Sequence, residues 1–154
     1  QEKLAHIRGC EVRYKEYWLD DADLVLVAYG TAGRIALSAV RQARAEGLQV
    51  GLLRPVTLYP FPMERLARLA EQAQAFLVVE MSAGQMVEDV RLAVEGRAPV
   101  RFYGRMGGAV PMPDEIFEVV RGLCYSLRSA RPSGNGYHPK RYPQPEDVEP
   151  QGAD

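Results

Sequence analysis

Cysteine and histidine are scarce in this chain of 154 residues, which has two of each. Cys10 and Cys124 form no C-x-x-C pair and have no histidine pattern beside them. Zinc and iron–sulfur sites need several correctly spaced ligands, so the sequence predicts no metal site or cluster in this chain. His6 and His138 stand isolated in polar segments, and no Ser/His/Asp arrangement can be assembled around them.

Long apolar runs and clustered positive charge are also missing. No run approaches the roughly 20 apolar residues of a membrane span, and the start has no signal-peptide pattern. The formal net charge is -1, and 16 of the 19 basic residues are arginines that are spread along the chain. These features predict a cytoplasmic protein with neither nucleic acid nor a membrane as a partner. Because the first residue is Gln1 rather than Met, we expect a piece of a longer chain.

The chain does contain a repeated rhythm of an apolar run, a loop and a helical pattern. The apolar runs are 24–29, 50–53, 75–80 and 100–103, and the helical patterns that follow them are 33–46, 63–74, 82–94 and 113–127. Strands that alternate with helices predict a mostly parallel sheet with helices on both faces.

The two ends of the chain differ from this central region. Residues 1–11 are mixed polar and predict a linker, and segment 12–19 predicts a short edge strand. Segment 128–154 contains five prolines and three glycines but almost no aliphatic residues. It cannot bury enough apolar surface to fold alone, so we expect one domain over 12–127 and an extended tail over 128–154.

Four loops should meet at one edge of the predicted sheet, since ligands of parallel sheets bind beyond the carboxyl ends of the strands. They are YGTAG (29–33), RPVTLYPFP (54–62), EMSAGQ (80–85) and YGRMGG (103–108). The candidate residues for an anion site or a subunit contact are Gly30, Thr31, Gly33, Glu80, Ser82, Gln85, Arg105, Gly107 and Gly108.

The first loop raises the question of a nucleotide site. It reads G-T-A-G-R-I-A from Gly30, whereas the dinucleotide fingerprint is G-x-G-x-x-G and a Walker loop needs G-K-[ST]. No acidic residue closes the second strand either, which ends in Leu53 and Arg54. A tight turn with close helix packing is therefore the favoured interpretation of Gly30 and Gly33, and a phosphate contact is the alternative.

The third and fourth loops have two interpretations each. Glu80 ends an apolar strand, where it either anchors the loop by accepting amide hydrogen bonds or acts as a catalytic acid or base. The pattern S-x-x-Q at 82–85 predicts a capping box that opens the third helix. Arg105 either clamps an anion or lies at the rim of a subunit contact. The methionines in or beside these loops favour a buried interface over a cofactor box; they are Met81, Met86, Met106 and Met112.

The segments LVLVAYGTAGRIA, VGLLRPVTLYPFP, FLVVEMSAGQMVEDVRLAV and VRFYGRMGG occur in this order. Together they resemble the transketolase C-terminal-like domain of the α subunit of 2-oxoacid:ferredoxin oxidoreductases, of the 2-oxoglutarate and branched 2-oxoacid type. The resemblance covers roughly residues 10–125 and depends most on EMSAGQMVEDVRLAV followed by YGRMGG. It implies a three-layer α/β/α fold with a mostly parallel five-stranded sheet whose first strand, here within 12–19, is antiparallel. The tail after about Arg128 departs from the family's pattern.

The resemblance also implies an enzyme complex. Complete members decarboxylate a 2-oxoacid oxidatively with thiamine diphosphate, form an acyl-CoA and pass electrons through iron–sulfur clusters to ferredoxin. A pyrimidine-binding domain precedes this domain in the same subunit, and the β subunit holds the diphosphate and its Mg²⁺. The family places no established catalytic residue here. We therefore expect a non-catalytic assembly domain that binds no cofactor itself and is inactive in isolation.

Two other functions remain open at the level of sequence. A small nucleotide- or CoA-binding module could use the glycine loops. The C-terminal domain of another thiamine enzyme, such as a transketolase or the β subunit of a 2-oxoacid dehydrogenase, would share the Y-G turn and the R-P-x-T-L-x-P loop. That group lacks the E-M-x-x-G-Q-M helix start present here.

Overall fold

A five-stranded sheet forms the middle layer of the protein, for which we use a computed structural model that describes residues 12–105, 107 and 109–130. The strands are β1 (Tyr14–Tyr17), β2 (Leu24–Ala28), β3 (Val50–Pro55), β4 (Ala75–Glu80) and β5 (Val100–Gly104). Their order in the sheet is β1-β3-β2-β4-β5. Strand β1 pairs with β3 in antiparallel fashion, and the other pairs are parallel. The predicted mixed sheet with an antiparallel first strand is confirmed.

Two helices cover each face of the sheet. They are α1 (Gly30–Ala45), α2 (Met63–Leu69), α3 (Met86–Val94) and α4 (Pro113–Ser129). Helices α1 and α4 pack together over one apolar core, and α2 and α3 over another. The predicted three-layer α/β/α architecture is therefore confirmed.

The central strand β2 divides its side chains between the two cores. Leu24 and Leu26 pack with α1 and α4, whereas Val25 and Val27 pack with α2 and α3. All four are 0% exposed, which explains why this run has no polar alternation. Burial of each such side chain contributes roughly 1.5–3 kcal/mol, so this strand joins both helix layers to one sheet.

Several element boundaries differ from the predicted ones for local reasons. Helix α2 ends at Leu69 rather than at residue 74, because the Gln74 amide donates to the Asp23 carbonyl oxygen and leads the chain into β4. Helix α4 continues to Ser129 and so includes the first two residues of the predicted tail. The rest of that tail and the predicted linker 1–11 lie outside the described residues, apart from Ala130.

Strand β1 is shorter than the predicted segment 12–19 because Trp18 turns the chain with a φ of 50°. The next residues then lie over β3 at Gly51. A Cβ on Gly51 would come within 2.6 Å of the Trp18 carbonyl oxygen and of the Leu19 side chain. The glycine allows this crossing, and the edge strand can pack closely against the sheet.

Candidate functional site at the carboxyl edge of the sheet

The loops that follow β2, β3, β4 and β5 all leave the same edge of the sheet, since these four strands are parallel. This edge therefore carries the predicted site residues Gly30, Thr31, Gly33, Glu80, Ser82, Gln85, Arg105 and Gly107. Gly108 and Met106 lie outside the described residues.

Glu80 is the one charged residue buried in the described part of the chain, at 1% exposure. Its Oε1 accepts hydrogen bonds from the Met86 amide at 2.8 Å and from the Ser82 hydroxyl at 3.1 Å, and its Oε2 accepts from the Val87 amide at 3.0 Å. Hydrogen bonds to a carboxylate are strong and offset the cost of burying it. Glu80 thus caps the start of α3 from the end of β4, and the anchor interpretation is confirmed.

The predicted capping box at 82–85 is wrong. The residue before the first turn of α3 is Gln85, whose side chain makes no capping bond. Ser82 donates instead to Glu80. Gly84, with a φ of 99°, turns the chain between Ser82 and the start of α3. A buried carboxylate is a better acceptor for free amides than a hydroxyl, so the carboxylate takes the place that Ser82 was predicted to fill.

The Gly30–Gly33 loop is a sharp corner between β2 and α1. Gly30 has a φ of 57°, a value that favours glycine. A Cβ on Gly33 would come within 2.9 Å of Arg54 Nε and 3.0 Å of the Ala28 carbonyl oxygen. The positive φ therefore accounts for Gly30, and close packing accounts for Gly33. Thr31 is exposed in the first turn of α1.

Arg54 is a residue of this edge that the sequence analysis did not select. It lies half-buried near the end of β3 and packs against the corner, where its Nη2 donates a long 3.5 Å hydrogen bond to the Gly30 carbonyl oxygen. The available signal was an arginine at the end of an otherwise apolar strand. It places positive charge beside the first turn of α1.

Arg105 is bound in an exposed cluster with Glu115, which the sequence analysis also did not select. Arg105 Nη2 lies 2.7 Å from Glu115 Oε1, while Glu115 Oε2 accepts from the Met112 amide at 3.1 Å and the Tyr103 hydroxyl at 3.4 Å. The Tyr103 side chain and the Glu115 carboxylate raise the pKa of Arg105, which keeps its positive charge. The cluster ties the β5–α4 loop to the first turn of α4.

The methionines near these loops differ in exposure. Met86 is buried and Met81 packs partly against the core, whereas Met112 is 60% exposed. Phe102 on β5 and Val110 in the β5–α4 loop are also exposed apolar side chains. Apolar side chains that lie open at a loop edge are typical of a contact with another protein surface.

Metal-ligating side chains and the Cys124 thiol are the remaining candidates for reactive groups in the described part of the chain. Within residues 12–105, 107 and 109–130, no three His, Cys, Asp or Glu side chains are grouped as ligands for a metal ion. Burial raises the pKa of the Cys124 thiol to about 11, so it stays protonated at neutral pH. Among the residues that the structure describes, no helix is long and apolar enough to cross a membrane.

Comparison with known proteins identifies relatives of this fold. The family model described as pyruvate:ferredoxin oxidoreductase core domain II matches residues 22–116. The ketoisovalerate oxidoreductase subunit VorB of Methanothermobacter thermautotrophicus is 52% identical over 124 residues, which are 80% of this chain and 35% of that protein. The 2-oxoglutarate synthase subunit KorA of Methanothermobacter marburgensis is 35% identical over 122 residues, or 79% and 32% of the two chains.

Two solved structures share the fold. The 2-oxoglutarate:ferredoxin oxidoreductase from Magnetococcus marinus aligns with a TM-score of 0.68 at 19% identity, over 80% of this chain and 23% of that one. A split-gene transketolase aligns with a TM-score of 0.59 at 21% identity, over 73% and 41%. The chain spans about a third of the length of the curated relatives above. It belongs to the pyruvate:ferredoxin oxidoreductase core domain II family.

Proposed function

We propose that this chain is a non-catalytic assembly domain of a thiamine-diphosphate-dependent 2-oxoacid:ferredoxin oxidoreductase. The complete complex would decarboxylate a 2-oxoacid oxidatively to an acyl-CoA and pass the electrons to ferredoxin. Membership of the family and the 52% identity to a ketoisovalerate oxidoreductase subunit support the complex.

The observation that carries the non-catalytic role is the hydrogen bonding of Glu80. Two backbone amides and one hydroxyl already donate hydrogen bonds to its carboxylate, and Glu80 is 1% exposed. A general acid or base has to exchange its proton with a substrate, which a carboxylate bound in this way is poorly placed to do. Arg105 and Glu115 are likewise engaged with each other.

The cofactors and partners belong to the rest of the complex in this proposal. A pyrimidine-binding domain of the same subunit, a β subunit with thiamine diphosphate and Mg²⁺, iron–sulfur clusters and ferredoxin would complete the enzyme. The exposed apolar side chains Phe102, Val110 and Met112 would then lie at or near contacts with these parts, as would the loop residues Thr31, Ser82, Gln85 and Gly107.

The substrate of the complex is, in our proposal, a branched 2-oxoacid. Identity to the ketoisovalerate oxidoreductase subunit VorB is 52%, against 35% to the 2-oxoglutarate synthase subunit KorA. A comparison of kcat/KM for ketoisovalerate and 2-oxoglutarate in the complete enzyme tests this choice. A preference for 2-oxoglutarate would contradict it.

Activity assays test the assembly role. The purified chain should not reduce methyl viologen when given ketoisovalerate, thiamine diphosphate, Mg²⁺ and CoA. Addition of the remaining α-subunit domain and the β subunit should start turnover. Turnover by the chain alone would disprove the proposal.

A variant of the complete enzyme separates a structural from a catalytic Glu80. Loss of a general acid or base usually costs about 10²–10⁴-fold in rate. We expect Glu80→Gln to lower thermal stability but to leave kcat within about threefold and its pH profile unchanged, well short of that loss. A shifted pH profile would assign Glu80 to the chemistry.

A ligand screen tests the alternative of a nucleotide- or CoA-binding module. A ligand that binds only the folded chain raises its melting temperature by mass action. We expect ADP, CoA, NAD and thiamine diphosphate to leave the melting temperature unchanged. A clear rise with one of them would favour a binding module at the glycine loops.

A further inference from the structure

A groove of about 690 Å³ lies beside the segment that joins β3 to α2, and its described lining includes no residue of the three glycine-containing loops. Its lining consists of residues 12, 14, 58–65 and 89. Apolar side chains stand open to solvent there: Leu58 is 44% exposed, Tyr59 is 64% exposed and Met63 is 37% exposed. Exposed apolar surface on this scale is typical of a surface that another segment covers.

The charges of the groove select the kind of segment that fits. Arg65 is paired with Glu16, with Nε 2.5 Å from Oε1, so its charge is compensated. Glu64 and Asp89 also line the groove, and neither carboxylate has a hydrogen bond or an ion pair among the described residues. The groove is therefore acidic as well as apolar, and it favours an occupant that combines aliphatic and cationic side chains.

Aromatic rings add to this preference. Tyr14 and Tyr59 lie in the lining and are both exposed. The faces of such rings attract guanidinium and ammonium groups at a distance of up to about 6 Å. Rings and carboxylates together thus form a surface suited to arginine or lysine.

The chain itself leads a segment of this composition to the groove. Val12, where the described residues begin, is part of the lining. Residue 13 is bonded to the loop beyond β3, since the Val56 amide donates to the Arg13 carbonyl oxygen at 2.8 Å and the Arg13 amide donates to Thr57 Oγ1 at 3.3 Å. Residue 12, which follows segment 1–11 along the chain, therefore lies at the rim of the groove.

The sequence of that segment is QEKLAHIRGCE, with the aliphatic residues Leu4 and Ile7 and the cations Lys3 and Arg8. An extended chain spans at most about 3.3–3.6 Å per residue, so these residues can reach across a groove of this size. We propose that residues 1–10 dock in the groove, with Leu4 and Ile7 on its apolar wall and Lys3 and Arg8 facing Glu64 and Asp89. Docking would fix the direction in which any preceding part of the chain leaves this domain, whatever enzyme it serves.

Thiol labelling measures whether the segment covers the groove. The background is Cys10→Ser, in which the remaining Cys124 is buried and protonated. Met63→Cys then places a reactive thiol in the lining. We expect its maleimide labelling to be about tenfold faster in a chain that lacks residues 1–10 than in the full chain, as for a segment docked about nine-tenths of the time.

A matched thiol on the opposite face of the sheet is the control. Tyr125→Cys on α4 is also exposed, and its labelling rate should be the same in both chains. Equal rates for Met63→Cys in the two chains would overturn the proposal. Protection of the full chain that disappears on dilution would also overturn it, because a second copy would then be the occupant.

Charge variants of the full chain give an independent measurement that does not depend on the shortened chain folding. Lys3→Glu combined with Arg8→Glu should speed the labelling of Met63→Cys, and so should Glu64→Gln combined with Asp89→Asn. Lys3→Arg combined with Arg8→Lys keeps both positive charges, so it should leave the labelling rate of Met63→Cys unchanged. Slow labelling that persists after charge reversal would refute docking by ion pairs.

Discussion

Glu80 and Glu115 both organise the start of a helix at the carboxyl edge, but in different surroundings. Glu80 reaches from the end of β4 to the amides of Met86 and Val87 and is 1% exposed. Glu115 reaches back to the Met112 amide within its own helix start, and its side chain is 38% exposed. Water can replace the partners of Glu115 but not those of Glu80. The buried carboxylate should therefore contribute far more to stability than the exposed one.

The largest expected effect is that of Glu80→Ala. It leaves two buried amides without acceptors, and we expect the free energy of unfolding to fall by about 3–5 kcal/mol. Urea denaturation followed by circular dichroism measures the loss. Glu80→Gln keeps the volume and should cost less. A loss below about 1 kcal/mol for Glu80→Ala would contradict the expectation that Glu80 contributes more to stability than Glu115.

Cys124 adds a third buried group to the comparison, one whose pKa is governed mainly by burial. Burial raises the pKa of its thiol from 9.0 to about 11. The protonated thiol stabilises the folded state below pH 9, and this contribution is lost as the pH rises through 9 towards 11. We expect a loss of about 2 kcal/mol over that range relative to Cys124→Ala, measured by urea denaturation. Parallel pH profiles for the two chains would contradict this.

Gly33→Ala tests the packing of the corner beside Glu80. The added Cβ would lie 2.9 Å from Arg54 Nε and 3.0 Å from the Ala28 carbonyl oxygen, so we expect a loss of roughly 1–3 kcal/mol in thermal or urea unfolding. Gly122→Ala is the control, since its Cβ would meet nothing within 4 Å in helix α4. That change should stabilise the chain by roughly 0.5–1 kcal/mol. Equal effects at both sites would contradict the close packing at Gly33.

The smallest expected effect is that of Glu115→Ala. It removes one capping bond at an exposed helix start, which costs about 1 kcal/mol. The part due to the ion pair with Arg105 should disappear in 1 M salt, whereas the loss in Glu80→Ala should remain. Urea denaturation at two salt concentrations measures both. A salt-independent loss as large as that of Glu80→Ala would remove the distinction between the two glutamates.

The inner strands were predicted closely, whereas the helix starts were predicted unevenly. Helices α2 and α4 begin at the predicted residues 63 and 113, but α1 and α3 do not. Strand β4 spans the same residues as its apolar run, because a strand buried on both faces needs apolar side chains at every position. The start of α3 was predicted to depend on Ser82, yet it depends on Glu80, six and seven residues before the amides that it binds. The capping box uses neighbours in sequence, whereas the actual cap required a strand to end beside a helix.

The residues of the candidate site were likewise only partly predictable from the sequence. The glycine spacing of the first loop already excluded a dinucleotide fingerprint, and the strand-to-helix corner is present. The roles of Arg54 and Glu115 could not be predicted, because they come from contacts with Gly33 and Arg105 on other elements. The groove beside 58–65 includes part of the predicted loop 54–62, but its acidic residues Glu64 and Asp89 come together only in the folded chain.

The sequence by itself determined the order of strands and helices, the two-sided burial of the central strands and the resemblance to a family. These properties follow from local patterns of apolar residues, turns and motifs, which do not depend on distant contacts. Only the tertiary structure decided that the Glu80 carboxylate serves as a helix cap, that Arg105 is paired and that Glu64 and Asp89 share a groove with exposed tyrosines. The protonation, pairing and exposure of a side chain depend on neighbours that folding brings together from distant parts of the chain.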